Sequence, residues 1–103
     1  MDTTMIFKAL SNEARRQILE WLKHPEQHFG PQIYLPKDAD FKGGICVGSI
    51  QAKTELTQSV VSSYLSMMQK AGLLESRRYG QWTYYRRNEQ LLREFTEYMR
   101  NEL

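Results

Sequence analysis

Apolar positions recur along this chain with two different periods. Between Thr3 and Leu10, the residues Met5, Ile6, Ala9 and Leu10 keep helical spacing and predict a short first helix. Ser11 and Asn12 are good N-cap types, and Glu13 places a negative charge in the next turn, where the helix dipole favours it. Ala14, Ile18, Leu19 and Leu22 then form one face of a second helix. His24-Pro25 should stop it, because the residue before proline is pushed out of the helical region. No helical period survives in residues 25–44, which hold Pro25, Pro31, Pro36, Gly30, Gly43 and Gly44. About twenty residues is long for a connection in a compact domain, so this stretch reads as a surface insertion. Ile33-Tyr34-Leu35 is its candidate extended piece, and a ligand-facing or dimer-facing loop is the functional alternative.

A helical period returns from Ile45 to Lys53, with Val47 and Ile50 inward. Thr54 to Thr57 reads as a tight turn, and Thr57 can cap a fourth helix running from about Gln58 to Ala71. Val61, Leu65 and Met68 lie on its inner stripe, widened by Val60, Tyr64 and Met67. Gly72 is the expected glycine at its end. The period then changes to two. Leu73 to Arg78 and Gln81 to Arg87 predict two strands, with Tyr79-Gly80 as the turn. Asn88 can cap a last helix whose apolar stripe is Leu91, Leu92, Phe95, Met99 and Leu103. The predicted order is helix, helix, loop, helix, helix, strand, strand, helix. That is a mainly α fold with a small β-hairpin (α-α-α-α-β-β-α), in one domain over residues 1–103.

Charge sharpens this picture once it is divided along the chain. The net charge is only +2, from 14 basic and 12 acidic side chains. Residues 1–50 are neutral, residues 53–87 carry +4 and residues 88–103 carry −2. The single cysteine allows no disulfide within a chain, and the opening MDTTMIFKAL has no secretory pattern, so a cytoplasmic location is expected. No apolar run is long enough for a membrane span. Six tyrosines, four phenylalanines, two tryptophans and five methionines suggest apolar surface for a dimer. There is no Gly-rich phosphate loop, nucleophile elbow or paired-carboxylate pocket, so no enzyme is expected.

Two short helices followed by a basic hairpin suit double-stranded DNA. The second helix of a helix-turn-helix lies in the major groove. The residues expected to face outward near its start are Gln58, Ser59, Ser62 and Ser63, with Tyr64 beside them. Gln can bond adenine through two contacts, and Ser can contact bases or phosphates. Arg77, Arg78, Arg86 and Arg87 sit within eleven residues that contain no acid. On paired strands their repulsion would be relieved by a polyanion.

The stretch Ala9–Lys23 (ALSNEARRQILEWLK) and the stretch Thr57–Arg86, with its AGL and a GxxxxY wing, resemble the ArsR/SmtB family of winged helix-turn-helix repressors. The resemblance implies a homodimer with the first and last helices at the interface, which places Met5, Ile6, Leu91, Leu92, Phe95 and Met99 there. It implies operator binding until an effector loosens the DNA. It puts Gln58, Ser59, Ser62 and Ser63 on the recognition helix and Arg77, Arg78, Gln81 and Arg86 on or beside the wing.

Both familiar metal sites of that family are broken. The aligned element reads Cys46-Val47-Gly48, without a second thiol, and the last helix has no His, Cys or Asp. His24 and His28 are separated by Pro25, so no metal and no cofactor is expected. Cys46 is the candidate for redox sensing. The expected function is therefore a sequence-specific transcriptional regulator, a repressor on an inverted-repeat operator, with an unidentified small-molecule effector. A winged-helix protein-interaction module is the rival.

Overall fold

The computed structural model describes residues 1–103. Helix α1 spans Thr3–Leu10, and Asp2 caps it by accepting the Met5 N–H at 3.1 Å. Helix α2 spans Glu13–Lys23 and is capped by Asn12, which accepts the Arg15 N–H at 3.0 Å. Ser11 instead closes α1, its hydroxyl donating to the Lys8 carbonyl at 2.6 Å. Asn12 therefore acts as its residue type predicts, while Ser11 serves the preceding helix.

The insertion departs from its prediction in two places. Pro25 ends α2 but also begins a one-turn helix, α3 (Pro25–His28). Its fixed φ suits a first helical position, where the missing N–H has no partner to lose. Ile33-Tyr34-Leu35 is not extended, because the Leu35 N–H donates to the Gln32 carbonyl at 3.1 Å and closes a turn.

A third departure changes the sheet. Ile45-Cys46 is not the start of a helix; it forms β1 (Ile45–Cys46), and helix α4 spans Val47–Thr54. Helix α5 is Gln58–Lys70, β2 is Leu74–Tyr79, β3 is Trp82–Arg87 and α6 is Glu89–Glu102. β1 pairs antiparallel with β3, Ile45 opposite Tyr85 and Cys46 opposite Tyr84. The predicted hairpin is therefore two strands of a three-stranded sheet ordered β1-β3-β2. A two-residue strand has too few positions to show a period of its own, and only its partner across the fold decides it.

Two glycines are required by the backbone. Gly80, at φ 61°, opens the two-residue turn between the paired ends Tyr79 and Trp82. Gly72, at φ 87°, ends α5, and a Cβ there would lie 2.4 Å from the Leu91 Cδ1 of α6. The same glycine thus turns the chain and lets the last helix approach.

The main core gathers Ile6, Ile18, Ile50, Leu65, Met68 and Leu73 among its fully buried members. It joins α1, α2, α4 and α5 to one face of the sheet. Register and alternation assign that face Leu74, Arg87, Tyr85 and Ile45. The opposite face carries Arg77, Tyr79, Trp82, Tyr84 and Arg86. Phe41 of the insertion packs against its Arg77 and Arg86, and Phe41 and Tyr84, each 1% exposed, are buried outside the main core.

Candidate nucleic-acid interface

The two helices that should read a groove are joined by a turn with well-defined bonds. The Thr54 hydroxyl donates to the Gln51 carbonyl at 2.9 Å and accepts the Leu56 N–H at 3.2 Å. Glu55 closes α4 in the left-handed region at φ 62°. Thr57 caps α5 by accepting the Val60 N–H at 3.3 Å. Val61, Leu65 and Met68 then face the core. That rotation leaves Gln58, Ser59, Ser62 and Ser63 exposed, as the helical period predicts.

Tyr64 is different. It is half-buried, its hydroxyl accepts from the Asn12 side-chain amide at 3.4 Å, and the Arg15 guanidinium lies 5.0 Å from its ring centre. Its ring is committed to the α1–α2 corner, which removes it from the groove-facing set. Arg15 is itself buried, donating to the Ala9 carbonyl at 2.7 Å and the Lys8 carbonyl at 3.1 Å. It completes the carbonyl end of α1, where a cation suits the dipole.

The recognition helix and the wing meet in one concavity. Gln58 and Ser62 from α5 share a cleft of about 440 Å³ with Gln81, Trp82 and Thr83 of the wing. Cys46 and Gln51 also line it. Residues of the recognition helix and the wing, distant in the chain, thereby border the same space.

The four arginines do not behave as one patch. No arginine faces another across the strands: Arg77 pairs with Tyr84, Arg78 with Thr83, Arg86 with Glu75 and Arg87 with Leu74. Arg77 and Arg86 nonetheless come together diagonally over the Phe41 ring, where Glu75 balances the pair. Arg86 Nε donates to Glu75 Oε1 at 2.5 Å and its Nη1 to the Lys42 carbonyl at 3.3 Å, with the guanidinium 4.3 Å from the Phe41 ring centre. Arg87 Nε donates to Glu89 Oε1 at 2.7 Å and its Nη1 to the Leu19 carbonyl at 3.3 Å. The acids that engage them stand just outside the acid-free run. Arg86, expected to grip phosphate, is thus half-buried and engaged by partners within the protein. Arg77 is exposed but donates to the Asp40 carbonyl at 2.7 Å and lies 5.3 Å from the Phe41 ring centre. Arg78 is exposed at the wing tip, where its Nε donates to the Gly80 carbonyl at 3.0 Å.

The residues expected at a dimer interface also divide. Ile6 and Phe95 are buried in the protomer's own core, at 0% and 5% exposure, so neither is available to a second copy. Leu91 and Leu92 are half-buried, while Met5 and Met99 are exposed. Phe7 is exposed too, edge-on to Phe95 at 5.4 Å, and Leu103 is the most exposed apolar residue of α6's end. Phe7 sits one helical step from Ile6, at the flank of the α1 stripe, and four-residue counting passes over it.

Cys46 is half-buried, with Sγ 3.2 Å from the Ser49 hydroxyl, and its N–H donates to the Gln32 side chain at 2.9 Å. The neighbouring Tyr84 phenol is pushed above its ordinary range by burial first, then by Cys46 and Tyr34. Burial also raises Tyr85. His24 precedes α3 and His28 is its last residue, and no three His, Cys, Asp or Glu side chains converge anywhere in the chain.

Comparison with known proteins places this geometry. A family model described as "Bacterial regulatory protein, arsR family" matches residues 41–76. The HTH-type transcriptional regulator YbzH of Bacillus subtilis (strain 168) is 40% identical over 103 residues, covering 100% of both chains. The winged helix-turn-helix DNA-binding domain Mb0332 of Mycobacterium bovis, described as homodimeric, is 28% identical with a TM-score of 0.65, over 94% of this chain and 74% of that one. HlyU of Vibrio cholerae, at 24% identity, shares the fold with a TM-score of 0.64 over 94% of this chain and 86% of its own.

Proposed function

Because the chain belongs to the ArsR family of bacterial DNA-binding transcriptional regulators, we propose that it is a homodimeric repressor acting on an inverted-repeat operator. Residues 1–103 work as one winged helix-turn-helix domain. The observation that carries this reading is the cleft shared by Gln58 and Ser62 of α5 with Gln81 of the wing. A duplex entering it meets base-reading groups from one element and groove-edge groups from the other. Gln58, Ser59, Ser62 and Ser63 read bases in the major groove. Arg78, with Gln81, meets the adjacent backbone, and Arg77 adds its remaining donors.

The exposed apolar flank of Met5, Phe7, Met99 and Leu103 is the surface a second copy covers. Two recognition helices related by that symmetry suit half-sites about 34–36 Å apart, or a multiple of it. The affinity of a half-site rests on few charges, so its salt dependence is shallow and roughly doubles when both half-sites of the dimer are engaged. An effector releases the DNA, and its chemistry is a separate question from the fold.

The test is a selection of duplexes from a random library, repeated with Gln58→Ala. The wild type should enrich a palindromic sequence and sediment at twice the 12.2 kDa protomer mass. The variant should lose base preference at one symmetric pair of positions. Enrichment of the same sequence by both proteins would remove Gln58 from the reading role.

A further inference from the structure

The insertion after α3 is seated on the wing. Tyr34 stacks on Trp82 with ring centres 4.7 Å apart and 9° between planes. Lower on the same sheet face, Phe41 lies under the Arg77 and Arg86 guanidiniums, which also donate to the Asp40 and Lys42 carbonyls. Gln32 ties the loop's start to β1 by accepting the Cys46 N–H. Side chains and backbone therefore hold this loop at several points along the strand.

Its apex nonetheless leaves apolar surface open. Ile33 is 78% exposed and Tyr34 59%, although the same loop buries Phe41 completely. Tyr34 and Pro36 form one open cleft with Tyr79, Gly80, Gln81 and Trp82, the tip of the wing. This patch is continuous with the surface assigned to DNA above. It is distinct from the proposed dimer surface: β3 runs from Trp82 at the tip to Arg87 beside α6, a separation of roughly 17 Å at ~3.3 Å per residue. Lys37 and Lys42 are balanced by Asp38 and Asp40, so the loop brings no net charge for phosphates. Such a surface offers apolar contacts in place of ionic ones.

We infer that Ile33 and Tyr34 join the wing tip as a compound wing, and that this apex enters the minor groove flanking each half-site. Minor-groove proteins commonly insert apolar side chains of this kind against base steps. Trp82 backs the Tyr34 ring, so the apex arrives preorganised. The inference rests on the DNA-binding reading of the same face.

The experiment uses the full chain and the palindromic duplex recovered by selection, in two lengths: trimmed to the half-sites, and extended by ten base pairs on each side. Ile33→Ser and Tyr34→Ser are compared with wild type by fluorescence anisotropy across a salt series and by hydroxyl-radical footprinting. Expected are about tenfold weaker binding of the extended duplex, less than twofold change on the trimmed one, and an unchanged salt slope. Protection should disappear from the flanking minor grooves alone. Equal affinities and footprints would overturn the inference while leaving the regulator reading intact. A wild type that binds no duplex would defeat that reading itself. Weaker self-association with an unaltered footprint would assign the apex to the second copy and overturn the inference too. Ile33→Ser changes a side chain that is mostly in solvent, so it remains informative if Tyr34→Ser loosens the loop.

Discussion

Replacing Phe41 by alanine tests whether the insertion is part of the folded unit. Phe41 is 1% exposed and lies against Arg77 and Arg86, the sheet-face neighbours of Tyr84, which is itself 1% exposed in the central strand. Truncating a fully buried phenylalanine costs about 3–5 kcal/mol, from lost transfer energy plus the cavity left behind. The guanidinium contacts at 4.3 and 5.3 Å are partly exposed and account for about 0.5–1 kcal/mol each within that figure. Gly44 constrains relaxation, since a Cβ there would already fall 2.4 Å from the Phe41 ring. The loop backbone is drawn so close to the ring that its removal leaves a hole. With a urea slope of about 2 kcal/mol per molar, a loss of ~3 kcal/mol lowers the unfolding midpoint by about 1.5 M. Far-UV circular dichroism at a fixed protomer concentration measures it, because dimerisation makes stability concentration-dependent. Phe41→Leu keeps most of the apolar volume and should lose only about 1–2 kcal/mol, the share of the two ring-face contacts. A Phe41→Ala midpoint within 0.3 M of wild type, roughly 0.6 kcal/mol on the same slope, would show that the insertion does not support the sheet.

Three further outcomes follow from single residues. Gly72→Ala meets both a φ of 87° and the Leu91 methyl, so it should cost about 2 kcal/mol and lower the melting temperature by roughly 10 °C; calorimetry checks this. Arg78→Ala should weaken binding to every duplex and reduce the salt slope by about 1, whereas Arg86→Ala should lower thermal stability and leave the slope unchanged. The opposite assignment would mean that Arg86 leaves Glu75 for phosphate on binding. Burial holds the Tyr84 proton on above the ordinary phenol value of 10.0, so the folded chain keeps it while the unfolded chain releases it. The resulting stability is fully present below pH 10 and is lost as pH rises past it. Tyr84→Phe should flatten the alkaline fall seen in denaturation midpoints, leaving the smaller share from Tyr85.

The helices were legible because their determinants are local. Asn12, Thr57 and Asn88 cap the helices they precede, and Gly72 ends α5, all within four residues of the bonds they make. The exposed face of α5 followed from the same period that buries Val61, Leu65 and Met68. Local reading reached its limit at β1, where two residues carry no period and pairing with Tyr84 and Tyr85 decides the conformation. Phe7 was passed over because only docking against Phe95 reveals which flank of α1 stays open.

The wing shows the division most clearly. Four arginines around an acid-free turn announced a basic hairpin, and the chain's order of elements announced where it sits. Which of those charges remains available was decided by strand register. One register places Glu75 opposite Arg86, leaves Arg78 at the tip, and turns Arg77 toward a loop more than thirty residues earlier. A charge count along a chain is a sum over neighbours in sequence, but Coulombic partners are neighbours in space. Composition, spacing and the family resemblance together pointed to a winged, DNA-binding domain; the tertiary structure decided which charged side chains are engaged within the protein, because only folding chooses their partners.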